Sequence, residues 1–294
     1  MIRPKLATIS LSLALIISAC SSMTSDELKY NYNHDLKSAA VARGYYAGDI
    51  VLPERVPFED RTYGLDKIDF IAFFGCTELK SITIPTTIKE IHPHAFEGCT
   101  GLTHVEIPNS IKVMDEGIFS RCSNLRRVII NEGVQKIRSF AFNSCENLDS
   151  VYLPTSVKEI ERCTFSNCIS LRTIEMNDNI KSIGAWTFDD CRALLSIRLP
   201  KALRTIEDGL FYGCSGLEQI SIPENVNSIG AKAFSLCSAL KSITLHSTTP
   251  PSVVDNTFEW ADTTATLYVP KASINKYRNA QGWKKFANIK PLAN

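Results

Sequence analysis

The chain has 294 residues, of which 44% are hydrophobic, and its 32 basic side chains nearly balance 31 acidic ones to give a net charge of +1. This balance argues against nucleic-acid binding, which requires a clustered excess of lysine and arginine. The chain also contains ten cysteines. In an exported protein such a number ordinarily indicates a disulfide framework, unless their spacing points elsewhere.

The first twenty residues have the pattern of a leader. Arg3 and Lys5 precede an apolar run at residues 6–17 that is too short to span a bilayer and suits the core of a signal peptide. The run leads into Ser-Ala-Cys, which resembles the bacterial lipoprotein signal, in which the cysteine is lipidated. We therefore predict a lipoprotein signal peptide at residues 1–20 with Cys20 as the lipidation site. The alternative is an ordinary secretory signal cleaved near Ala19.

Residues 21–67 are predicted to form a tether and an N-terminal cap. Residues 25–43 have the pattern of a helix that begins at Ser25 with acidic residues in its first turn. Residues 50–53 look like a degenerate first strand, and an irregular insert separates them from Ile68. A cap is expected because the end of a stacked repeat exposes apolar surface.

A strict repeat follows this region. Eight cysteines recur every 23 residues without insertion or deletion, and they are Cys76, Cys99, Cys122, Cys145, Cys168, Cys191, Cys214 and Cys237. Phe lies three residues before each of them, Leu lies three residues after, and aliphatic residues six and eight positions after indicate a short strand. A fixed period of about 20–29 residues is typical of a solenoid, in which neighbouring units bury one another.

The same register predicts the state of the thiols. Cysteines in equivalent positions of stacked units point in parallel at a spacing of about 4.8 Å, so we expect buried free thiols and no disulfides. Cys163 lies outside the period in what looks like a variable surface loop, where it is either a reactive thiol or an inert, partly buried one. No histidine column accompanies the cysteines, and we expect no metal site and no cofactor.

The period fails after Leu245, so residues 68–249 are predicted to form the repeat domain and residues 250–294 a C-terminal cap. Residues 267–270 have the pattern of a last strand, and Ser273 is a candidate N-cap of a short helix that carries Tyr277. The aromatic residues of this region, which include Trp283, either seal the core or form a ligand site.

The repeated motif identifies a family resemblance. Cys-x-x-Leu-x-x-Ile-x-Ile-Pro-x-x-Ile-x-x-Ile followed by Ala-Phe-x-x-Cys, present over residues 68–246, resembles the leucine-rich repeat of BspA-type bacterial surface proteins. The resemblance implies a leucine-rich repeat solenoid of about eight repeats, mainly β within the α+β class, with a cap at each end. It also implies a cell-surface adhesin that contacts host factors such as extracellular-matrix proteins.

The candidate binding residues lie on the outward side of the strands. Positions five and seven after each cysteine should form two parallel rows on one face of the sheet. An aliphatic and an aromatic residue surrounded by charges interrupt these otherwise small polar rows, and the proposed binding residues are His104, Glu106, Arg127, Ile129, Tyr152, Glu175 and Arg198. This composition is typical of an interface hot spot, although a cross-strand stabilising pair would have the same residues.

No sequence pattern predicts catalysis. We find no Gly-rich phosphate loop, zinc-protease helix or serine nucleophile elbow. The sequence therefore predicts a non-enzymatic, exported and lipid-anchored protein at the outer membrane or cell surface, monomeric, that binds a protein ligand and no nucleic acid. The alternative is a structural or accessory envelope lipoprotein that contacts a membrane complex or a glycan.

Overall fold

Each 23-residue unit contributes one long strand and one two-residue strand to the structure, a computed structural model that describes residues 28–292. Stacking of the units gives a β-solenoid of about eleven turns, which confirms the predicted solenoid and roughly matches the predicted number of about eight repeats. The predicted leader, Cys20 and the first residues of the predicted N-terminal helix lie outside the described residues.

The strands form two parallel stacks. The first five strands are β1 (Tyr30–Asn33), β2 (Ser38–Val41), β3 (Gly48–Val51), β4 (Arg55–Phe58) and β5 (Arg61–Ile68). The two-residue strands that follow are β7 (Glu90–Ile91), β9 (Val113–Met114), β11 (Lys136–Ile137), β13 (Glu159–Ile160), β15 (Ser182–Ile183), β17 (Thr205–Ile206), β19 (Ser228–Ile229) and β21 (Ser252–Val253). The long strands that alternate with them are β6 (Leu79–Thr83), β8 (His104–Ile107), β10 (Arg127–Ile130), β12 (Ser150–Tyr152), β14 (Thr173–Glu175), β16 (Ser196–Arg198), β18 (Gln219–Ile222), β20 (Ser242–Leu245), β22 (Thr266–Val269) and β23 (Asn288–Pro291).

The N-terminal cap is built from strands and not from the predicted helix. Strand β2 pairs in parallel with β5, and β1 covers the outer edge of β2 as an antiparallel neighbour. The insert predicted to be irregular is the hairpin of β4 and β5. The helix prediction was wrong for the described residues because the open edge of the first turn offers backbone hydrogen bonds that outweigh a weak helical preference. The predicted degenerate strand is confirmed as β3, which pairs with β6.

A continuous stack of phenylalanine rings fills the interior. Neighbouring rings from Phe73 to Phe258 lie 4.8–5.9 Å apart between centroids and within 19° of parallel. At the N-terminal end Tyr46 packs on Phe73 at 4.8 Å and extends the stack by one ring. The column works because every turn presents the same side chain to its neighbours at the repeat distance.

The cysteine column is buried, as predicted, and it also forms hydrogen bonds that the sequence did not reveal. The thiol of each cysteine from Cys99 to Cys237 donates to the carbonyl oxygen of the phenylalanine 26 residues earlier, at 3.0–3.3 Å. Every cysteine of residues 28–292 is a free thiol. Burial raises the pKa of the Cys168 thiol to about 12, so this group stays protonated at neutral pH.

The C-terminal cap closes the other end with aromatic rings set across the stack. Trp283 meets Phe258 edge-on at 5.4 Å and 64°, and its indole N–H donates to the carbonyl of Pro251 at 2.8 Å. The Tyr277 hydroxyl donates to the carbonyl of Ser247 at 2.9 Å. Both side chains are fully buried with their polar atoms satisfied, which supports the sealing role over a ligand site.

Two details of the predicted C-terminal cap need correction. Strand β22 coincides with the predicted last strand, yet β23 follows it and adds a further parallel neighbour. A 3₁₀ turn at Lys271–Ser273 leads into the helix α1 (Ile274–Asn279). Ser273 precedes α1 as predicted but does not cap it, because its hydroxyl donates to the carbonyl of Thr248 at 2.9 Å.

Candidate interaction face

The outward side chains of the long strands form the long-strand face, which we define as positions five and seven after each column cysteine and their equivalents on β22 and β23. Strand alternation places Val105 and Ile107 in the core and His104 and Glu106 on this face. All seven residues proposed from the sequence are exposed on it. The structure thus brings these candidates together on one surface.

The apolar centre of the face lies on β10 and β12. Ile129 is directly opposite Glu106 on β8, and Tyr152 is directly opposite Glu175 on β14. Arg127 is paired with Ser150, which places Ile129 and Tyr152 in the same row on adjacent strands. Their exposed fractions are 38% and 58%, respectively. The row therefore reads carboxylate, aliphatic, aromatic, carboxylate across four consecutive strands.

The charged residues around this centre differ in how they are held. The carboxylate of Glu106 accepts a hydrogen bond from the Asn131 side chain at 2.8 Å. The Arg198 guanidinium donates to both carboxylate oxygens of Asp178, at 2.9 and 2.7 Å, and forms no ion pair with Glu175. The hydrogen bond from the Arg198 guanidinium lowers the pKa of the Asp178 carboxyl and keeps it ionised.

Three members of the face remain free to engage a partner. Among residues 28–292, the side chains of Arg127, Tyr152 and Glu175 form no hydrogen bond or ion pair with another side chain or with the backbone. An arginine, a phenol and a carboxylate on neighbouring strands therefore present one donor group, one amphipathic ring and one acceptor group to the solvent.

Two recesses flank the centre along the same face. One holds about 530 Å³ and is lined by Arg198, Lys201, Ser221, Asn225 and His246 among others. The other holds about 400 Å³ and is lined by residues that include His104, Glu106, Asn109 and Asn131. The exposed centre thus projects between two shallow depressions.

Some residues of the face were missed in the sequence although a signal was present. A proline ends the long strand in five of the eight units, whereas Asn131, Asn177 and His246 occupy that position in the others. Asn131 reaches Glu106, and His246 pairs through Nε2 with the Ser221 hydroxyl at 2.9 Å. Two of the three breaks in the proline column therefore mark side chains that reach the face, whereas the Asn177 amide donates to the backbone carbonyls of Pro154 and Val157.

The surroundings of Cys163 differ from the predicted surface loop. The eight members of its column have left-handed backbone angles with φ of 52–61°, and they are Ile71, His94, Gly117, Phe140, Cys163, Trp186, Gly209 and Lys232. From His94 onward large and small residues alternate, and the ring of His94 lies over Gly117 and that of Trp186 over Gly209. Cys163 takes the small position after Phe140, is only 9% exposed, and has a pKa raised by burial. This favours the inert alternative.

The histidines are held separately. His92 contacts Glu90 at 3.1 Å, His94 contacts Glu97 at 2.7 Å, and His104 contacts Thr103 at 3.2 Å. No group of three or more potential metal ligands occurs in the described part of the chain. Nor does any helix within residues 28–292 have the length and hydrophobicity that a membrane crossing requires.

The repeat places the chain in a known class and family of proteins. The architecture is that of a leucine-rich repeat solenoid, a fold that ordinarily serves as a binding scaffold and not as a catalyst. The model of the BspA type leucine rich repeat region matches in six copies over residues 60–172 and 135–265. These stretches cover more than half of the sequence, and the chain belongs to this family.

Several solved structures are similar. The leucine rich repeat protein of T. pallidum, TpLRR, is 27% identical, with a TM-score of 0.55 over 75% of this chain and 91% of that one. A leucine rich cell surface protein of Faecalibacterium prausnitzii is 20% identical, with a TM-score of 0.36 over 94% and 96%. The pneumococcal vaccine antigen PcpA is 17% identical, with a TM-score of 0.42 over 93% and 99%. No curated protein matches the sequence.

Proposed function

We propose that this protein is exported, is anchored in the membrane by a lipid on Cys20, and binds a protein ligand at the cell surface through the long-strand face. The observation that carries the proposal is the pair Ile129 and Tyr152, exposed side by side at the centre of an otherwise polar face. Arg127 and Glu175 lie next to this pair with uncommitted side chains.

The composition of the centre fits a protein partner. Protein interfaces concentrate their binding energy in a few aromatic, aliphatic and arginine side chains surrounded by a polar rim. Tyr152 loses little conformational entropy on binding because it has two side-chain torsions, and its hydroxyl is free to form a hydrogen bond. The ordered ladder of long strands holds these groups in place before the ligand arrives, which lowers the entropic cost of association.

The leader supports the proposed location. Residues 21–27 separate Cys20 from the first described residue, and a fully extended chain spans at most about 3.3–3.6 Å per residue. Seven such residues reach about 25 Å. A lipid on Cys20 would therefore keep the N-terminal cap close to the bilayer, while the face around Tyr152 lies several turns farther along the solenoid.

A binding assay with matched variants tests the recognition part. Soluble protein comprising residues 21–294 is passed over immobilised extracellular-matrix proteins, and binding is followed by surface plasmon resonance. The double variant Ile129→Asp/Tyr152→Ala is expected to lose at least tenfold in affinity, whereas Thr83→Asp/Thr244→Ala, in the same row away from the centre, should bind like the wild type. Equal affinities of all three proteins would discard the proposed centre.

Two cell experiments test the location. Replacing Cys20 with Ser should release the protein from the membrane fraction, and Cys163→Ser serves as the control that should stay bound. Treatment of intact cells with an external protease should cleave the wild-type protein. Protection from the protease would instead support an envelope lipoprotein that faces inward and would rule out adhesion.

A further inference from the structure

A second repeated surface runs along the turn that precedes each short strand. The residue 13 positions after the cysteine is exposed in every unit from the first to the seventh. We call these positions the basic stripe, and they are Lys89, Lys112, Gln135, Lys158, Lys181, Arg204 and Asn227. Five are cations, two are amides, and none is a carboxylate.

The backbone fixes the spacing of the stripe. Gln135 donates its N–H to the carbonyl of Lys112 at 2.8 Å, and Lys158 donates to the carbonyl of Gln135 at 2.9 Å. The same bond joins Lys181 to Lys158 at 2.9 Å. These bonds hold the members from Lys112 to Lys181 on neighbouring turns about 4.8 Å apart, and the 23-residue repeat continues the same step to Lys89 and Arg204. Five such steps from the first lysine to Arg204 give a straight row of roughly 24 Å.

The charges of the stripe are not neutralised by neighbouring side chains. Nearby carboxylates are engaged elsewhere: Glu90 with Lys67 at 2.9 Å, Glu159 with Lys136 at 3.0 Å, and Asp178 with Arg198 at 2.7 Å. The ammonium groups of Lys89 and Lys112 donate only to backbone carbonyls. Within residues 28–292, none of the five cations of the stripe belongs to an ion pair.

The adjacent column pairs opposite charges, as an ordinary solvated surface does. One position further along the chain, Lys136 and Glu159 face each other across β11 and β13 with opposite charges. Like charges opposite one another on neighbouring strands repel, and a spacing near 4.8 Å is well inside the screening length of about 8 Å at physiological salt. The stripe maintains this repulsion over three consecutive turns at Lys158, Lys181 and Arg204. A polyanion laid along the row would relieve it.

We infer that the basic stripe binds a linear sulfated or carboxylated polysaccharide. Such a chain carries anionic groups and hydroxyls at regular intervals, which suits a straight row of cations interrupted by the amides of Gln135 and Asn227. None of the exposed large hydrophobic side chains lies in the stripe or in the columns on either side.

The lack of exposed apolar side chains around the stripe also favours a polysaccharide over three other classes of ligand. A protein partner would need an apolar anchor. Single-stranded nucleic acid would need aromatic platforms on which bases stack. A lipid surface would favour apolar side chains that enter the headgroup region.

Heparin is a suitable probe because it is a linear sulfated polysaccharide. The purified protein should bind heparin at low salt, with an affinity that falls steeply as salt is raised. The triple variant Lys158→Gln/Lys181→Gln/Arg204→Gln should weaken binding at least tenfold in titration calorimetry without a change in Tm. The control Lys271→Gln/Lys276→Gln/Lys284→Gln removes the same charge from the C-terminal cap and should bind within twofold of the wild type.

Two further measurements test the geometry of the row. Gln135→Lys fills the gap in the stripe and should tighten heparin binding, whereas Gln219→Lys on the long-strand face should not. Affinity should rise with heparin length until a fragment spans about 24 Å.

Equal weakening by both triple variants would overturn the inference, because it would indicate a non-specific charge effect. Tighter binding to single-stranded DNA or to anionic vesicles than to heparin would also overturn it. The double variant Ile129→Asp/Tyr152→Ala should leave heparin binding unchanged. The proposal for the stripe and the proposal for the protein-binding site are therefore tested independently.

Discussion

Phe142 and Tyr152 are aromatic residues ten positions apart in the sequence, and the solenoid uses them in opposite ways. Phe142 is completely buried between Phe119 and Phe165, with ring centroids at 5.7 and 5.4 Å. Tyr152 is 58% exposed and contacts no other aromatic ring within residues 28–292. A position inside the stack must match both neighbouring turns, whereas a position on the long-strand face is free to vary. Stability and the proposed recognition therefore depend on different columns of the same repeat.

The largest effect is expected in the ring stack. Phe142→Ala removes a fully buried ring and leaves a cavity between two turns, which should lower the free energy of unfolding by about 3–5 kcal/mol. Tyr152→Ala should change it by no more than about 0.5 kcal/mol. Urea denaturation followed by circular dichroism measures both. Similar losses of unfolding free energy in the two variants would contradict the conclusion that the interior column, and not the exposed face, stabilises the fold.

The end of the stack should respond next. Trp283→Phe keeps an aromatic ring against Phe258 but removes the hydrogen bond to the carbonyl of Pro251 and part of the buried volume. An unsatisfied buried carbonyl costs about 1–3 kcal/mol, so we expect a loss of stability in this range. The same denaturation measurement tests it, with Trp260→Phe as the control because Trp260 is exposed. An equal loss in the control would show that the cap does not depend on its buried indole.

The left-handed column offers a smaller test. Gly209 has a φ of 61°, and a methyl group at this position would collide with the ring of Trp186. Gly209→Ala should therefore destabilise the protein by about 1–3 kcal/mol through backbone strain and displacement of the indole. Gly64→Ala is the matched control, since a methyl group there meets nothing within 4 Å. Adding Trp186→Ala should restore part of the loss if the collision contributes.

The smallest expected signal is thiol reactivity. The folded fragment of residues 21–294 should react slowly with a thiol reagent, because its nine cysteines are buried and burial raises the pKa of Cys168 to about 12. All nine should react after denaturation without reductant. A cysteine that remained unreactive in the unfolded chain would indicate a disulfide. Rapid labelling of Cys163 in the folded protein would show that its thiol is reactive and not inert.

Much of the fold was predictable because every repeat unit has the same pattern of buried positions. The Phe, Cys and Leu columns identified the core, and strand alternation identified the outward rows with Ile129 and Tyr152. The helix predicted within residues 25–43 was wrong for the described residues because β1 and β2 are stabilised by pairing with each other and with β5, which a local pattern does not contain. The pairing of Arg198 with Asp178 was not predictable either, since it depends on side-chain direction between turns.

The sequence by itself determined the solenoid, its period and the division of each unit into buried and exposed columns. Periodicity is sufficient for this because identical units stacked in parallel place equivalent residues next to each other. Only the tertiary structure showed that the thiols bond to a phenylalanine carbonyl in the preceding turn, that Cys163 is buried, and that the cations of the basic stripe form no ion pair within residues 28–292. These features depend on which atoms of one turn meet those of the next, and a one-dimensional repeat does not specify them.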